Sequence, residues 1–453
     1  MFDICNGQVV PSHSGLNRRN FLRVGALGLG GLTLADWLAL KAKGAVAEGR
    51  AKTKSVIQFF LNGGGPPQTD TFDPKPNAGE DITGPWKETV KTNVPGTLFN
   101  AMVPLLAQQA DKFSVLRTLT HNNSGHGGAA NIMMTCTYPS SLVYPDIGAI
   151  AARHKADTGY QGAIPPYVSI GDPTGTPGGG FLGKRWSPFR QGPTMPPKNP
   201  GAKTPATTLD QRYQDRRSLV ASLDALNRDM DKTGAWEDMD SCQQNAYSLV
   251  LGDAKKAFDL SEEKEEVRER YGVGKPRSTG EWLLLARRLV EYGVPFITVC
   301  SGFWDASHTE NFKVMKDALP ALDVSLSALF EDLAQRGLLD TTMVTLTGEF
   351  GRTPHIDWKP PANGGRHHWP QCFSGLVAGG GFKGGQVVGE SDSKGQYVRN
   401  RPIYPWDLSG SMYKLLGIDP MGRLPHPQGC GEAFVTPLGA GKLPSGGILK
   451  EVM

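Results

Sequence analysis

Two six-residue apolar runs, Pro295-Phe296-Ile297-Thr298-Val299-Cys300 and Thr342-Met343-Val344-Thr345-Leu346-Thr347, bracket a stretch with Leu322, Leu326, Leu329 and Leu333 on one helical stripe. Runs of this length and β-branched content read as buried strands, and the leucine spacing reads as a helix. A strand, a crossover helix and a second strand form a βαβ unit, whose strands run parallel with a right-handed crossover. Both runs therefore end at the same edge of one sheet. Parallel pairing commits the chain to an α/β architecture with helices covering the sheet.

Chemistry follows directly on both strands. The first runs into Trp304-Asp305-Ala306-Ser307-His308, the second into Gly348-Glu349-Phe350-Gly351-Arg352-Thr353-Pro354. A third cluster, Gly365-Arg366-His367-His368-Trp369-Pro370, comes soon after. Carboxylates and imidazoles at consecutive strand ends are how an open α/β sheet assembles a metal or phosphate site. Asp305 and His308, three apart, can both reach one ion. Imidazole suits zinc or another transition metal, and carboxylate oxygen suits zinc, manganese, calcium or magnesium. His367 and His368 point opposite ways in extended chain, so at most one is expected to be a direct ligand. Trp369 would wall the site, and Arg352 or Arg366 could clamp an oxyanion.

Earlier segments supply further strand ends. Lys54–Leu61 reads as a buried strand that breaks at Asn62-Gly63-Gly64-Gly65, with Asp70 and Asp73 in the loop beyond. Phe113–Thr118 reads as another, running into Thr120, His121, Ser124 and His126, where a helix begins that carries Ile132–Met134 inward. Pro165–Gly171 suits a further short strand. Ser278-Thr279-Gly280-Glu281 has the form of a capping box opening a helix, and Pro320 has the form of a helix start. From about residue 173 to 275 the chain is first Gly/Pro-rich, then charged and helical, which predicts an insertion over one face of the domain.

The first 47 residues read as a targeting segment. Asn17-Arg18-Arg19-Asn20-Phe21-Leu22-Arg23 has the form of a twin-arginine export motif, followed by a short apolar run and an Ala45-Val46-Ala47 cleavage site. That run is too short to span a bilayer. The expected location is periplasmic or secreted, with the export machinery as partner. The segment carries five Lys/Arg and two Asp, so of the net charge of +4 only +1 belongs to the remainder, which gives no footing for nucleic acid. Six cysteines at irregular spacing form neither a disulfide framework nor a C-x-x-C metal motif.

An ordered series of motifs resembles an exported bacterial family known as the domain of unknown function number fifteen hundred and one, related to the alkaline phosphatase and sulfatase superfamily. The series runs through Gly64–Pro76, His121-x4-His126, Leu284–Phe296, Glu349–Pro354, Gly365–Pro370, Phe382–Asp392 and Arg401–Leu408. The resemblance implies a three-layer αβα sandwich with a largely parallel sheet, and a hydrolase of phosphate or sulfate esters using one or two divalent ions, zinc or manganese, iron or calcium. Its substrate would be a small-molecule or glycan ester. It also implies metal ligands at Asp70, Asp305, His308, Glu349 and His368. His126 would be a ligand or the phosphoryl-accepting nucleophile, with Ser124 or Thr120 in reserve, and Arg352 and Arg366 would steady the transition state. Two departures stand out: the D-x-x-H spacing is one residue short of the phosphatase pattern, and Phe350 occupies the place of a histidine. The alternative they leave open is an exported, metal-stabilised carbohydrate- or anion-binding protein without turnover.

Overall fold

Alternation along the strands decides the layering. In the strand Ser55–Leu61 (β1), Ile57, Phe59 and Leu61 pack into one hydrophobic cluster while Val56 and Phe60 pack into another. Successive strand side chains point to opposite faces, so a strand buried on both sides must be covered twice. The computed structural model describes residues 2–5, 8–11, 52–172, 175–191, 253–425, 433–437 and 447–453. The twin-arginine motif, the cleavage site and residues 192–252 of the expected insertion lie outside the described residues.

The remaining sheet strands are Phe113–Leu119 (β2), Tyr167–Ile170 (β3), Phe189–Gln191 (β4), Phe296–Ser301 (β5), Thr342–Gly348 (β6), Phe373–Ala378 (β7) and Val387–Val388 (β8). Their order is β8-β2-β7-β6-β1-β5-β3-β4. Only β7 is antiparallel to its neighbours, and every other pairing is parallel. Helices Gly280–Glu291 (α3) and Asn311–Gln335 (α4) bury their apolar stripes in the first cluster. Helices His126–Thr135 (α1), Ile147–Asp157 (α2) and Pro405–Leu416 (α5) bury theirs in the second. The result is the three-layer αβα sandwich with a largely parallel sheet.

The β5–α4–β6 crossover forms as the sequence dictates, but its strands do not touch. β1 inserts between them, with Leu61 opposite Ser301 on one side and Gly348 on the other. Three strand ends thus stand side by side at the carboxyl edge.

Two local expectations are corrected. Pro320 lies inside α4, not at its start. Pro320 and Lys316 are both exposed, so the carbonyl that loses its helical hydrogen bond faces water and the proline is tolerated. The capping box at α3 does not close. Its Thr279 side chain makes no cap bond and instead meets Ser325 Oγ at 3.0 Å, while Ser278 Oγ accepts the Gly280 amide.

Candidate metal centre

The loop after β5 is a 3₁₀ turn, Trp304–His308. With three residues per turn, positions i and i+3 eclipse. Asp305 and His308 therefore project to one point, His308 Nε2 lying 3.1 Å from Asp305 Oδ1. The 3₁₀ turn is what brings the two side chains together across the D-x-x-H spacing.

Two further imidazoles reach the same carboxylate oxygen. His368 arrives on a short hairpin in which Gly351–Arg352 pairs with His368–Trp369, and its Nε2 lies 3.1 Å from Asp305 Oδ1. His126 opens α1, and its Nε2 lies 3.2 Å from that oxygen. The ligand atoms of His126, Asp305 and His368 all fall within 4.8 Å of one another. His308 Nε2 and His368 Nε2 are 2.8 Å apart.

Hydrogen bonds on the far side of each ring settle the tautomers. His126 Nδ1 donates to Glu349 Oε1 at 2.7 Å, and His368 Nδ1 donates to the Ser124 carbonyl at 2.7 Å. His367 Nε2 donates to Asp357 Oδ2 at 3.1 Å, which leaves its Nδ1 to accept from His308 Nδ1, also at 3.1 Å. A carboxylate or carbonyl can only accept, so in the neutral rings all three Nε2 atoms carry bare lone pairs. Three lone pairs crowd the Asp305 Oδ1 oxygen, which Arg352 also contacts, and a divalent ion among them would relieve their repulsion. Imidazoles anchored through the other nitrogen are also the usual form of a metal ligand. The donor set fits a divalent transition ion.

Glu349 stands behind this set. It is fully buried, and Gly63 donates its amide to Oε1 at 2.9 Å. Its Oε2 is buried without a hydrogen-bond partner among the described residues, so one acceptor at the site is still open. Gly63 has φ +100°, and a Cβ there would come within 2.6 Å of the Asp305 amide nitrogen. Phe350 is buried and its ring lies 4.1 Å from that of His368 and 5.1 Å from that of His126, an apolar wall where a histidine was expected. His121 donates Nε2–H to the Glu349 carbonyl at 2.5 Å.

Electrostatics favour ligation. Burial alone would raise the Asp305 carboxyl, but the hydrogen bond and the charge of Arg352 hold it down to about 2. Burial and the Arg352 charge push His308 down to about 4, which keeps its lone pair available.

Several expected site residues sit elsewhere. Arg352 is fully buried and donates to Asp305 Oδ1 at 3.0 Å and to the Gly63 and Trp304 carbonyls. Arg366, also fully buried, donates to Asp70 Oδ1 at 3.1 Å and to the carbonyls of Thr353, Pro354 and Ile82. In this structure both guanidiniums, expected as an oxyanion clamp, are internal braces, Arg352 on Asp305 and Arg366 on Asp70. Asp70 is not in the cluster. Asn311 and Arg366 occupy its oxygens, and burial raises its pKa against their pull. Trp369 faces away, donating to the Gln396 carbonyl. The sequence reading missed Asp357 and left His367 without a role; the adjacency of His367 to His368 was the one available signal.

Residues 53–432 match the family described as "Protein of unknown function (DUF1501)". No curated protein matches. Among solved structures, the chain is similar to the lipoteichoic acid synthase LtaP from Listeria monocytogenes at 13% identity, over 82% of this chain and 74% of that one, with a TM-score of 0.33. It is similar to a sulfatase from Pseudoalteromonas sp. at 13% identity, over 84% and 70%, with a TM-score of 0.34. A protein in the alkaline phosphatase superfamily from Vibrio parahaemolyticus matches at 11% identity, over 81% and 67%, with a TM-score of 0.32. At these scores the likeness is remote.

Proposed function

The chain belongs to the DUF1501 family, and from the geometry of its site we propose that it is a metal-dependent hydrolase of phosphate or sulfate esters. The convergence of three bare Nε2 atoms on Asp305 Oδ1 carries this reading. His126, Asp305, His308 and His368 would hold one divalent ion, and the open Oε2 of Glu349 could serve a second. A bound ion would polarise an ester oxygen and raise the acidity of water.

The formal charges of Asp305, Glu349 and Arg352 sum to −1, so one divalent ion makes the centre +1, which suits an anionic ester. The ester class itself rests on the resemblance of the ordered motifs to a family related to the alkaline phosphatase and sulfatase superfamily. His126 acts as ligand and not nucleophile, because Glu349 engages its Nδ1 and the cluster its Nε2. Water would be the attacking group. Arg352 holds Asp305 in place, and Phe350 excludes water behind the rings. The twin-arginine motif at Arg18-Arg19 supports export to the periplasm or beyond.

Elemental analysis of the purified chain, followed by turnover of aryl phosphate and aryl sulfate, tests this reading. Bound zinc, manganese or iron with turnover, both lost in His126→Ala, is the expected result. Metal without turnover of either ester would leave a metal-stabilised binding protein, and absence of metal would sink both readings.

A further inference from the structure

Next to the metal centre lies a cavity of about 600 Å³ lined by Trp358, Phe312, Glu80, Asp81, Glu310 and Asn363, among others. Its size is that of an ordinary small-ligand pocket. Its lining residues adjoin those of the metal cluster along the chain. Glu310 is two residues past His308, so their Cα atoms are at most about 7 Å apart. Trp358 is the neighbour of Asp357, which anchors His367 and through it His308. The two wall segments clasp each other, the Glu310 amide donating to the Ala362 carbonyl and the Arg366 amide to that of Ser307.

Trp358 is the unusual member. It is 54% exposed, although it has a large apolar surface to hide. Its ring lies nearly parallel to that of Phe312, at 18° and 5.8 Å between centroids. Gly364 forms the floor under both: a Cβ there would come within 2.9 Å of the Trp358 ring and 3.6 Å of Phe312. Phe312 backs one side of Trp358, and the exposed part of the Trp358 ring is the flat surface the cavity offers. A cage for an organic cation needs ring faces that converge on it, which this pair does not offer.

The rim is rich in hydrogen-bonding groups, and its three carboxylates, of Glu80, Asp81 and Glu310, outnumber its one ammonium, that of Lys313. Asp81 pairs with His355 at 3.1 Å, and Glu310 with Lys313 at 3.0 Å. Glu80 adds a third carboxylate, and Asn363 an amide. An acidic rim repels the phosphate or sulfate that the metal centre would attract. The cavity therefore suits the uncharged end of the same substrate. A flat face for C–H groups, ringed by hydroxyl-binding carboxylates and an amide, matches a sugar ring.

We propose that this cavity is a saccharide subsite, stacking an uncharged or amino-bearing pyranose on Trp358 while the esterified end of the same glycan reaches the metal centre. The subsite stands on its own geometry, and only the orientation of the ester rests on the hydrolase reading.

The test is binding of the full chain to an oligosaccharide array that carries each glycan with and without its sulfate or phosphate ester. It is run with metal present and again in EDTA. Expected is a set of glycans whose unesterified forms bind in both conditions and lose at least tenfold in Trp358→Ala, with Glu80→Gln weakening them less. Circular dichroism confirms that the exposed Trp358 can be replaced without unfolding. No saccharide bound above the Trp358→Ala background, or competition by tetramethylammonium alone, would overturn the proposal. Aryl ester turnover with no glycan binding sinks the subsite and spares the hydrolase; glycan binding without turnover of any ester does the reverse.

Discussion

His367 never touches the point where the ligand atoms meet, yet its loss should weaken metal binding there. The perturbation is His367→Ala. In the structure His367 accepts a hydrogen bond from His308 Nδ1 and is held by Asp357, whose carboxyl this contact keeps below the usual range. Without that acceptor the half-buried His308 ring is free to turn or to protonate at Nε2, the atom that would ligate. Removing such outer partners costs 10–100-fold in metal affinity, or about 1.4–2.7 kcal/mol. His367 is itself 47% exposed, so the metal-free fold should lose no more than about 0.5 kcal/mol. At free metal a thousandfold above Kd, binding stabilises the wild type by about 4 kcal/mol, and the variant forfeits its 1.4–2.7 kcal/mol of that. The assay is zinc titration against a chromogenic chelator, with Tm measured in zinc and in EDTA. Affinity should fall at least tenfold, and Tm should fall in zinc but not in EDTA. His367→Gln, which keeps an acceptor, should recover part of the loss. Unchanged affinity, or an equal Tm drop in EDTA, would refute the reasoning.

Three further outcomes follow from the same geometry. Arg366→Met strands the buried Asp70 carboxylate and should cost about 3–5 kcal/mol in urea unfolding, with much of it recovered when Asp70→Asn is added; a loss under 1 kcal/mol would contradict the brace. Gly63→Ala must strain φ +100° and displace Asp305, so metal affinity should fall at least tenfold while the fold survives, and an unshifted affinity would break that link. Asp146 caps α2 through the Ala149 amide, and burial pushes its carboxyl up to about 7. Its folded value lies above its unfolded one, so between about pH 4 and 7 the native state holds a proton that the unfolded chain has released. Stability should therefore decline as pH rises through that window, by at most about 4 kcal/mol. Asp146→Asn keeps the acceptor and should flatten the decline, measured as urea midpoints at pH 4 and pH 8; identical slopes would count against it.

Much of this protein was legible in its sequence because the relevant signals are local. A run such as Phe296–Cys300 must be buried on both faces, and the leucines between 322 and 333 must face one way. Those two facts force a parallel crossover and put Asp305 and Glu349 at one sheet edge. Strand order is not local: nothing in the βαβ segment announces that β1 would part its strands. Nor does residue type distinguish a guanidinium that meets a substrate from one that meets backbone carbonyls, which is why Arg352 and Arg366 read as a clamp and fold as braces. Asp70 follows a strand just as Asp305 does, but Asn311 and Arg366 reach it first. The decisive step for the metal centre, the locking of each Nδ1, joins residues as distant as His368 and Ser124, 244 positions apart. Sequence periodicity records which face of an element is buried; only the packed structure brings together the partners that decide which nitrogen of each ring is left bare.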